Sequence, residues 1–129
     1  MARLTPFLLV GLGGFIGCNL RYLVGLYVVE RFVSRIPLAT FLINVTGSFL
    51  LGLVGTLVAE RLVAWPEHFR LLLGIGFLGG FTTFSSYALE TDLLLRQGET
   101  LRAALYFTLS PLCALLGARL GVIVALSLR

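Results

Sequence analysis

The stretch Gly79-Gly80-Phe81-Thr82-Thr83-Phe84-Ser85-Ser86-Tyr87 decides the fold, because it interrupts a long apolar run that extends from Glu67 to Leu95. Adjacent glycines favour positive φ and weaken a helix. A helix break at membrane depth is tolerated only where protein or a polar cavity receives the freed backbone groups, and broken membrane helices often bind ions. The stretch therefore predicts a helix that is broken at mid-membrane beside an ion site. A tightly packed glycine kink is the alternative.

The composition around this stretch is that of an integral membrane protein. Of the 129 residues, 58% are hydrophobic, and the mean hydropathy of +1.01 is too high for a soluble domain. The net charge is +4, and all ten basic residues are arginines. They lie singly between apolar runs, which is typical of interfacial anchors and not of a nucleic-acid surface. We therefore expect a lipid bilayer and no nucleic acid as partner.

Four apolar runs are each longer than the roughly 20 residues that cross a bilayer. They extend from about Thr5 to Val29, Pro37 to Ala59, Glu67 to Leu95 and Leu101 to Leu128. The first run is too long for a signal peptide and lacks a small-x-small cleavage site, so we expect it to remain as the first membrane helix. Short connectors predict one all-α domain, residues 1–129, with both termini on the same side of the membrane.

The arginines do not favour either orientation in the membrane. Five fall on each side of the four predicted helices: Arg3, Arg61, Arg70, Arg119 and Arg129 on one, and Arg21, Arg31, Arg35, Arg96 and Arg102 on the other. Since the positive-inside rule needs an excess on one side, the chain is predicted to insert both ways. Two opposed copies would then form an antiparallel, dual-topology homodimer.

Polar side chains lie inside three of the predicted helices. Arg21 in helix 1 is either an anchor that reaches toward the first loop or a residue with an ion partner. Thr40 and Asn44 share a face of helix 2, and Asn44 is either helix–helix glue or a ligand. Tyr106 and Ser110 share a face of helix 4. Two polar tracks therefore flank the third helix.

Helix 3 adds aromatic and acidic groups. Phe81, Phe84 and Tyr87 recur every three residues, and such a row either packs or presents positive ring edges to an anion. Glu90 and Asp92 follow near the end of the helix, where we interpret them as solvated groups.

Pro111 and two cysteines also lie inside the first and fourth apolar runs. Pro111 has no amide hydrogen, so the Phe107 carbonyl is expected to lack its helical partner. Cys18 and Cys113 both lie inside apolar runs, and we expect no disulfide between them.

Three motifs resemble those of the Fluc (CrcB-type) fluoride channels along essentially the whole chain. They are Gly13–Tyr22 (GGFIGCNLRY), Thr40–Gly47 (TFLINVTG) and Gly79–Tyr87, of which the last is the most specific. The resemblance implies a multi-pass protein of the bacterial inner (plasma) membrane. It also implies an antiparallel homodimer with two fluoride pores and a structural sodium ion at the dimer interface.

The resemblance also implies site residues. Those of the fluoride pore are Asn44, Phe84, Tyr87, Tyr106, Ser110, Thr40 and Arg21, and the sodium ligands are the backbone carbonyls of Gly79 and Thr82. The family usually carries Phe where this chain has Tyr87, so the role of the added hydroxyl is open. Restoring the usual residue by Tyr87→Phe is expected to be nearly neutral.

The resemblance favours passive, selective fluoride export as the function, and two other classes compete with it. A small dual-topology, proton-coupled cation or drug exporter needs a carboxylate inside the membrane, and the interiors of helices 1, 2 and 4 carry none. An enzyme needs a nucleophile–base pair or a metal cluster. The only histidine, His68, falls in a predicted loop, so we expect the protein not to be an enzyme.

Overall fold

The computed structural model describes residues 4–61 and 67–128, and within them the side chains of Glu60 and Arg61 are left aside. Every regular element in these ranges is helical: α1 Thr5–Arg31, α2 Leu38–Arg61, α3 Glu67–Phe69, a π-helix Arg70–Leu78, α4 Gly79–Phe81, α5 Phe84–Arg96 and α6 Thr100–Ser127. Arg3 and Arg129, which entered the arginine count, lie outside the described residues.

Four helical segments are long and apolar enough to cross a membrane: Thr5–Arg31, Leu38–Ala59, Glu67–Arg96 and Thr100–Ser127. They match the four predicted runs to within about two residues at each end. Large apolar side chains on the outer faces of these helices are exposed, for example Phe7 (76% exposed) and Leu101 (74% exposed). Since water would not tolerate so much exposed apolar surface on a single chain, the fold is that of a multi-pass membrane protein.

Small residues allow the helices to pack in two close pairs. On α1, a side chain at Gly13 or Gly17 would overlap carbonyl oxygens of the π-helix. On α6, a Cβ at Gly121 would lie 2.7 Å from the Leu53 amide nitrogen of α2. Glycine at these positions lets the backbones approach, which is the usual basis of membrane-helix packing.

The third span, Glu67–Arg96, is not one uniform helix. After α3 it continues as the π-helix and α4, and its backbone becomes extended at Thr82 (φ −81°, ψ 158°) and Thr83 (φ −152°, ψ 119°) before α5 begins. The Thr83 hydroxyl then accepts a hydrogen bond from the Ser86 amide at 3.2 Å, which is an ordinary N-cap.

The glycine pair before this extended segment does not have the backbone that the sequence predicts. Gly79 has φ −64° and ψ −37°, and within the described ranges the only glycine with positive φ is Gly98. A Cβ at Gly80 would lie 2.9 Å from the Gly14 carbonyl oxygen of α1. The expectation of positive φ is therefore wrong here, because close packing against α1 explains the glycine at position 80.

Candidate functional site

A cavity of about 330 Å³ lies between α2, the extended segment with the start of α5, and the middle of α6. Its lining is Asn44, Gly47, Ser48, Leu51, Thr82, Thr83, Phe84, Tyr87, Ser110, Pro111 and Ala114. Four side chains of the predicted pore, Asn44, Phe84, Tyr87 and Ser110, thus come together here. Among these lining residues of the described chain none carries a charge.

Asn44 holds the extended backbone at Thr83. Its Nδ2 donates to the Thr83 carbonyl at 2.9 Å, and its Oδ1 accepts from the Thr83 amide at 2.8 Å. Of the two sequence interpretations, helix–helix contact is therefore realised in this conformation. The primary amide still has a second Nδ2 hydrogen, so the ligand interpretation also stays open.

The Asn44 contact also changes the hydrogen bonding of the preceding glycine. In a continuous helix the Thr83 amide would donate to the Gly79 carbonyl four residues earlier. Here the Thr83 amide donates to Asn44 instead, and helical geometry ends at Phe81. The Gly79 carbonyl is consequently left without its usual helical donor.

Two aromatic rings border the cavity beside this segment. The ring centroids of Phe84 and Tyr87 are 5.4 Å apart with planes tilted by 51°. Phe84 is 78% exposed within the chain, whereas Tyr87 is only 6% exposed. Tilted rings present their electropositive edges to a neighbour, so the pair is suited to contact an anion.

The Tyr87 hydroxyl has a backbone partner that the sequence did not identify. It donates to the Phe107 carbonyl of α6 at 2.6 Å. This is the carbonyl that Pro111 was expected to leave without a helical donor. The sequence alone does not pair the Tyr87 hydroxyl with the Phe107 carbonyl, because the pairing depends on how α5 packs against α6.

Ser110 contributes a hydroxyl that is not otherwise engaged. Its side chain is 5% exposed, and in the part of the chain that the structure describes its Oγ is buried without a hydrogen-bond partner. A buried hydroxyl without a partner costs free energy. Ser110 is therefore a donor ready for a group that enters the cavity.

Thr40 and Tyr106 lie beyond this cavity and meet at a residue that sequence reasoning set aside. The Thr40 hydroxyl donates to Glu90 Oε1 at 2.7 Å, and the Tyr106 hydroxyl donates to Glu90 Oε2 at 2.7 Å. The interpretation of Glu90 as a solvated helix end is wrong, since α5 continues to Arg96 and the carboxylate is half-buried.

A signal for Glu90 existed in the spacing. Glu90 follows Tyr87 by three residues, so it continues the aromatic row of helix 3, and Thr40 precedes Asn44 by four on the polar face of helix 2. Asp92, by contrast, pairs with Arg96 at 2.7 Å, and the two side chains are 47% and 74% exposed. The solvated interpretation holds for Asp92.

Arg21 lies outside the cavity lining. Its guanidinium donates to the Thr82 carbonyl at 3.5 Å and to Cys18 Sγ at 3.7 Å. Both contacts are long, so they orient the guanidinium weakly. Cys18 and Cys113 are free thiols within the chain.

Comparison with known proteins places this architecture in a family. The family model described as "CrcB-like protein, Camphor Resistance (CrcB)" matches residues 8–122. A protein of Caulobacter sp. (strain K31) is 41% identical over 122 residues, which is 95% of each chain. One of Chlorobium chlorochromatii (strain CaD3) is 45% identical over 123 residues, 95% of this chain and 94% of the relative.

A third relative, from Prosthecochloris aestuarii (strain DSM 271 / SK 413), is 46% identical over 104 residues, covering 81% of this chain and 80% of its own. All three carry the name "Fluoride-specific ion channel FluC". Because these relatives are ion channels, the expectation that the chain is not an enzyme is confirmed.

Proposed function

The chain belongs to the CrcB family, and we propose that it is a passive, fluoride-selective channel that exports fluoride across the bacterial inner (plasma) membrane. The observation that carries the proposal is the agreement with relatives named as fluoride channels, at 41–46% identity over most of the chain. The cavity between α2, α5 and α6 adds a pathway whose lining suits an anion.

The pathway runs along Asn44, Phe84, Tyr87 and Ser110. Fluoride is small and strongly hydrated, so a pore must replace its water with hydrogen-bond donors. The second Nδ2 hydrogen of Asn44 and the unpartnered Ser110 hydroxyl supply donors, and the tilted rings supply positive edges. The neutral lining keeps each site weak enough for the ion to leave, which conduction requires.

Thr40 and Tyr106 form the outer part of the same pathway. Their hydroxyls donate to Glu90 in this conformation, so they serve fluoride only after turning away from the carboxylate. Arg21 acts from outside the lining. Its charge raises the local potential for anions, and its hydrogen bond to the Thr82 carbonyl keeps the guanidinium off the path.

The functional unit is an antiparallel, dual-topology homodimer with two pores. Support comes from the balance of five arginines on each side and from the open apolar faces, such as Phe15 at 68% exposure. Tags on the C-terminus should be accessible from both sides of the membrane in one population of cells. Accessibility from a single side would exclude the inverted dimer.

The interruption at Thr82 and Thr83 lies at mid-membrane, near the two-fold axis, and a structural sodium ion binds there. The Gly79 carbonyl fits this role, because it lacks its helical donor, and neutral carbonyl oxygens suit a monovalent ion. The Thr82 carbonyl fits less well, since it accepts from the Arg21 guanidinium at 3.5 Å. It would hold sodium only if the guanidinium turned away.

A proton-coupled cation exporter is the alternative, and Glu90 is the observation that bears on it. The carboxylate is half-buried between two spans, which is closer to an exporter's requirement than the sequence suggested. Both its oxygens already accept hydrogen bonds, and the relatives are named as fluoride channels. The channel is therefore favoured, and its flux should not depend on a proton gradient.

Fluoride flux through purified protein in liposomes tests the pathway. Asn44→Asp replaces donors by a negative charge, and Phe84→Ile keeps bulk but removes the ring edge, so both should cut flux strongly. Phe7→Ile is a matched control because Phe7 is 76% exposed on α1, away from the cavity. Normal flux in both Asn44→Asp and Phe84→Ile would refute the assignment.

A further inference from the structure

The hydrogen bond between the Tyr87 hydroxyl and the Phe107 carbonyl of α6 gives the carbonyl a donor in place of its missing helical one. Pro111 has no amide hydrogen, so the Phe107 carbonyl cannot receive the bond that residue 111 would otherwise supply. The Tyr87 hydroxyl occupies that acceptor at 2.6 Å. Tyr87 is only 6% exposed, so its hydroxyl lies inside the chain, where the Phe107 carbonyl is its hydrogen-bond acceptor.

The same hydrogen bond helps to fix the position of the Tyr87 ring among its aromatic neighbours. Its centroid lies 5.4 Å from that of Phe84, 5.3 Å from that of Tyr106 and 6.3 Å from that of Phe107. The planes of Tyr87 and Phe107 are nearly parallel, at 15°, and Tyr87 and Pro111 both line the cavity. One hydrogen bond therefore fixes an aromatic edge against the helix that carries Ser110.

We propose that Tyr87 is a positioning residue of the pathway, whose hydroxyl replaces the amide hydrogen that Pro111 lacks. The inference rests on the proposed channel function. The hydroxyl has two effects on a passing anion. It occupies a carbonyl lone pair that would repel fluoride beside the cavity, and it holds the ring edge at a constant distance from Ser110.

This inference changes the expectation for Tyr87→Phe. From the resemblance alone the substitution is nearly neutral, because phenylalanine is usual at this position. In this chain it would leave the Phe107 carbonyl without the hydroxyl donor and free the ring to turn. The cost should depend on Pro111, and that dependence distinguishes the proposal from a general loss of packing.

A double-mutant cycle tests the dependence with four proteins: unmutated, Tyr87→Phe, Pro111→Ala, and both substitutions together. Alanine at position 111 restores an amide donor to the Phe107 carbonyl. Tyr87→Phe should therefore lower both the thermal unfolding temperature and the fluoride flux when Pro111 is present. It should change both much less in the protein that carries Pro111→Ala.

The coupling expected for one hydrogen bond in a membrane protein is about three-fold in an equilibrium constant. Flux is measured per folded protein in liposomes, and unfolding is measured in detergent. Tyr27→Phe is the control, because Tyr27 is 57% exposed on α1 and its ring contact with Arg31 survives loss of the hydroxyl. It should leave flux and unfolding temperature unchanged.

Each outcome decides the proposal. Coupling in both flux and unfolding supports it. Equal costs of Tyr87→Phe in both backgrounds overturn the hydrogen-bond argument, and coupling in unfolding with unchanged flux overturns the positioning role. Failure of the proposed function is separate, because then the unmutated protein itself would conduct no fluoride, and the positioning role would fall with it.

Discussion

Replacing Asn44 by Ala removes the side chain that holds the extended backbone of the third span. Both polar atoms of the amide bond to Thr83, at 2.9 Å from Nδ2 and 2.8 Å to Oδ1. The substitution therefore deletes two hydrogen bonds together and leaves the Thr83 amide unpaired, whereas the Thr83 carbonyl, at the N-cap of α5, keeps the first amide donor of that helix.

The expected cost follows from the burial of Thr83, which is 9% exposed. A net hydrogen bond contributes about 1 kcal/mol, and a buried group left without a partner costs about 1–3 kcal/mol. Measurements within membranes lie lower, near 0.6 kcal/mol per side-chain bond. For two bonds to a buried backbone we expect Asn44→Ala to lower the unfolding free energy by about 2–4 kcal/mol.

Asn19→Ala is the matched control for this measurement. Asn19 also donates through Nδ2 to a carbonyl, that of Phe15 at 2.7 Å, but on an exposed face of its own helix. The Phe15 carbonyl keeps its helical amide donor when the side chain is removed. The control should therefore cost about 0.5 kcal/mol or less.

Unfolding by a denaturing detergent, followed by circular dichroism, compares the two variants with the unmutated protein. Equal stability of Asn44→Ala and Asn19→Ala would refute the structural argument, because Thr83 would then not depend on Asn44. Fluoride flux in the folded fraction of Asn44→Ala should also fall, since one donor of the pathway is gone.

Three further predictions use other parts of the molecule. Phe84→Ile should reduce fluoride flux in liposomes with little change in unfolding temperature, because the ring is 78% exposed within the chain; a large loss of stability would contradict this. Gly17→Ala should prevent normal folding, judged by the monodisperse yield on size exclusion, because its Cβ would overlap the Phe77 carbonyl, whereas Gly25→Ala meets nothing within 4 Å and should fold. Glu90→Gln removes the negative charge to which the Thr40 and Tyr106 hydroxyls donate. It should therefore alter fluoride flux without making the flux depend on a proton gradient, and dependence on such a gradient would favour the exporter.

The helices could be predicted from the sequence because each apolar run is long, carries few charges and is bounded by a polar connector. Small residues also recur at helical spacing in α1, as at Gly13 and Gly17, and this face packs against the π-helix. The π-helix of residues 70–78 could not be predicted, since its i to i+5 hydrogen bonding depends on tertiary packing and leaves no simple pattern.

The site could be predicted only in part, because its contacts join residues distant in sequence. A motif indicated Asn44, and the resemblance indicated Ser110 on the polar face of helix 4, but the pairing of Asn44 with Thr83 spans 39 residues. The environment of Glu90 could not be predicted, because its burial depends on contacts with α2 and α6 and not on its position along α5. The role of the Tyr87 hydroxyl likewise could not be predicted, because its acceptor, the Phe107 carbonyl, is 20 residues away in the sequence.

Release of fluoride from liposomes that contain only this protein tests the central claim most directly. Vesicles are loaded with fluoride or with chloride, and efflux is followed by an ion-selective electrode after a potassium ionophore removes the opposing voltage. The proposed channel predicts rapid release of fluoride, retention of chloride and no requirement for a proton gradient. Fluoride retained as in protein-free vesicles would contradict it.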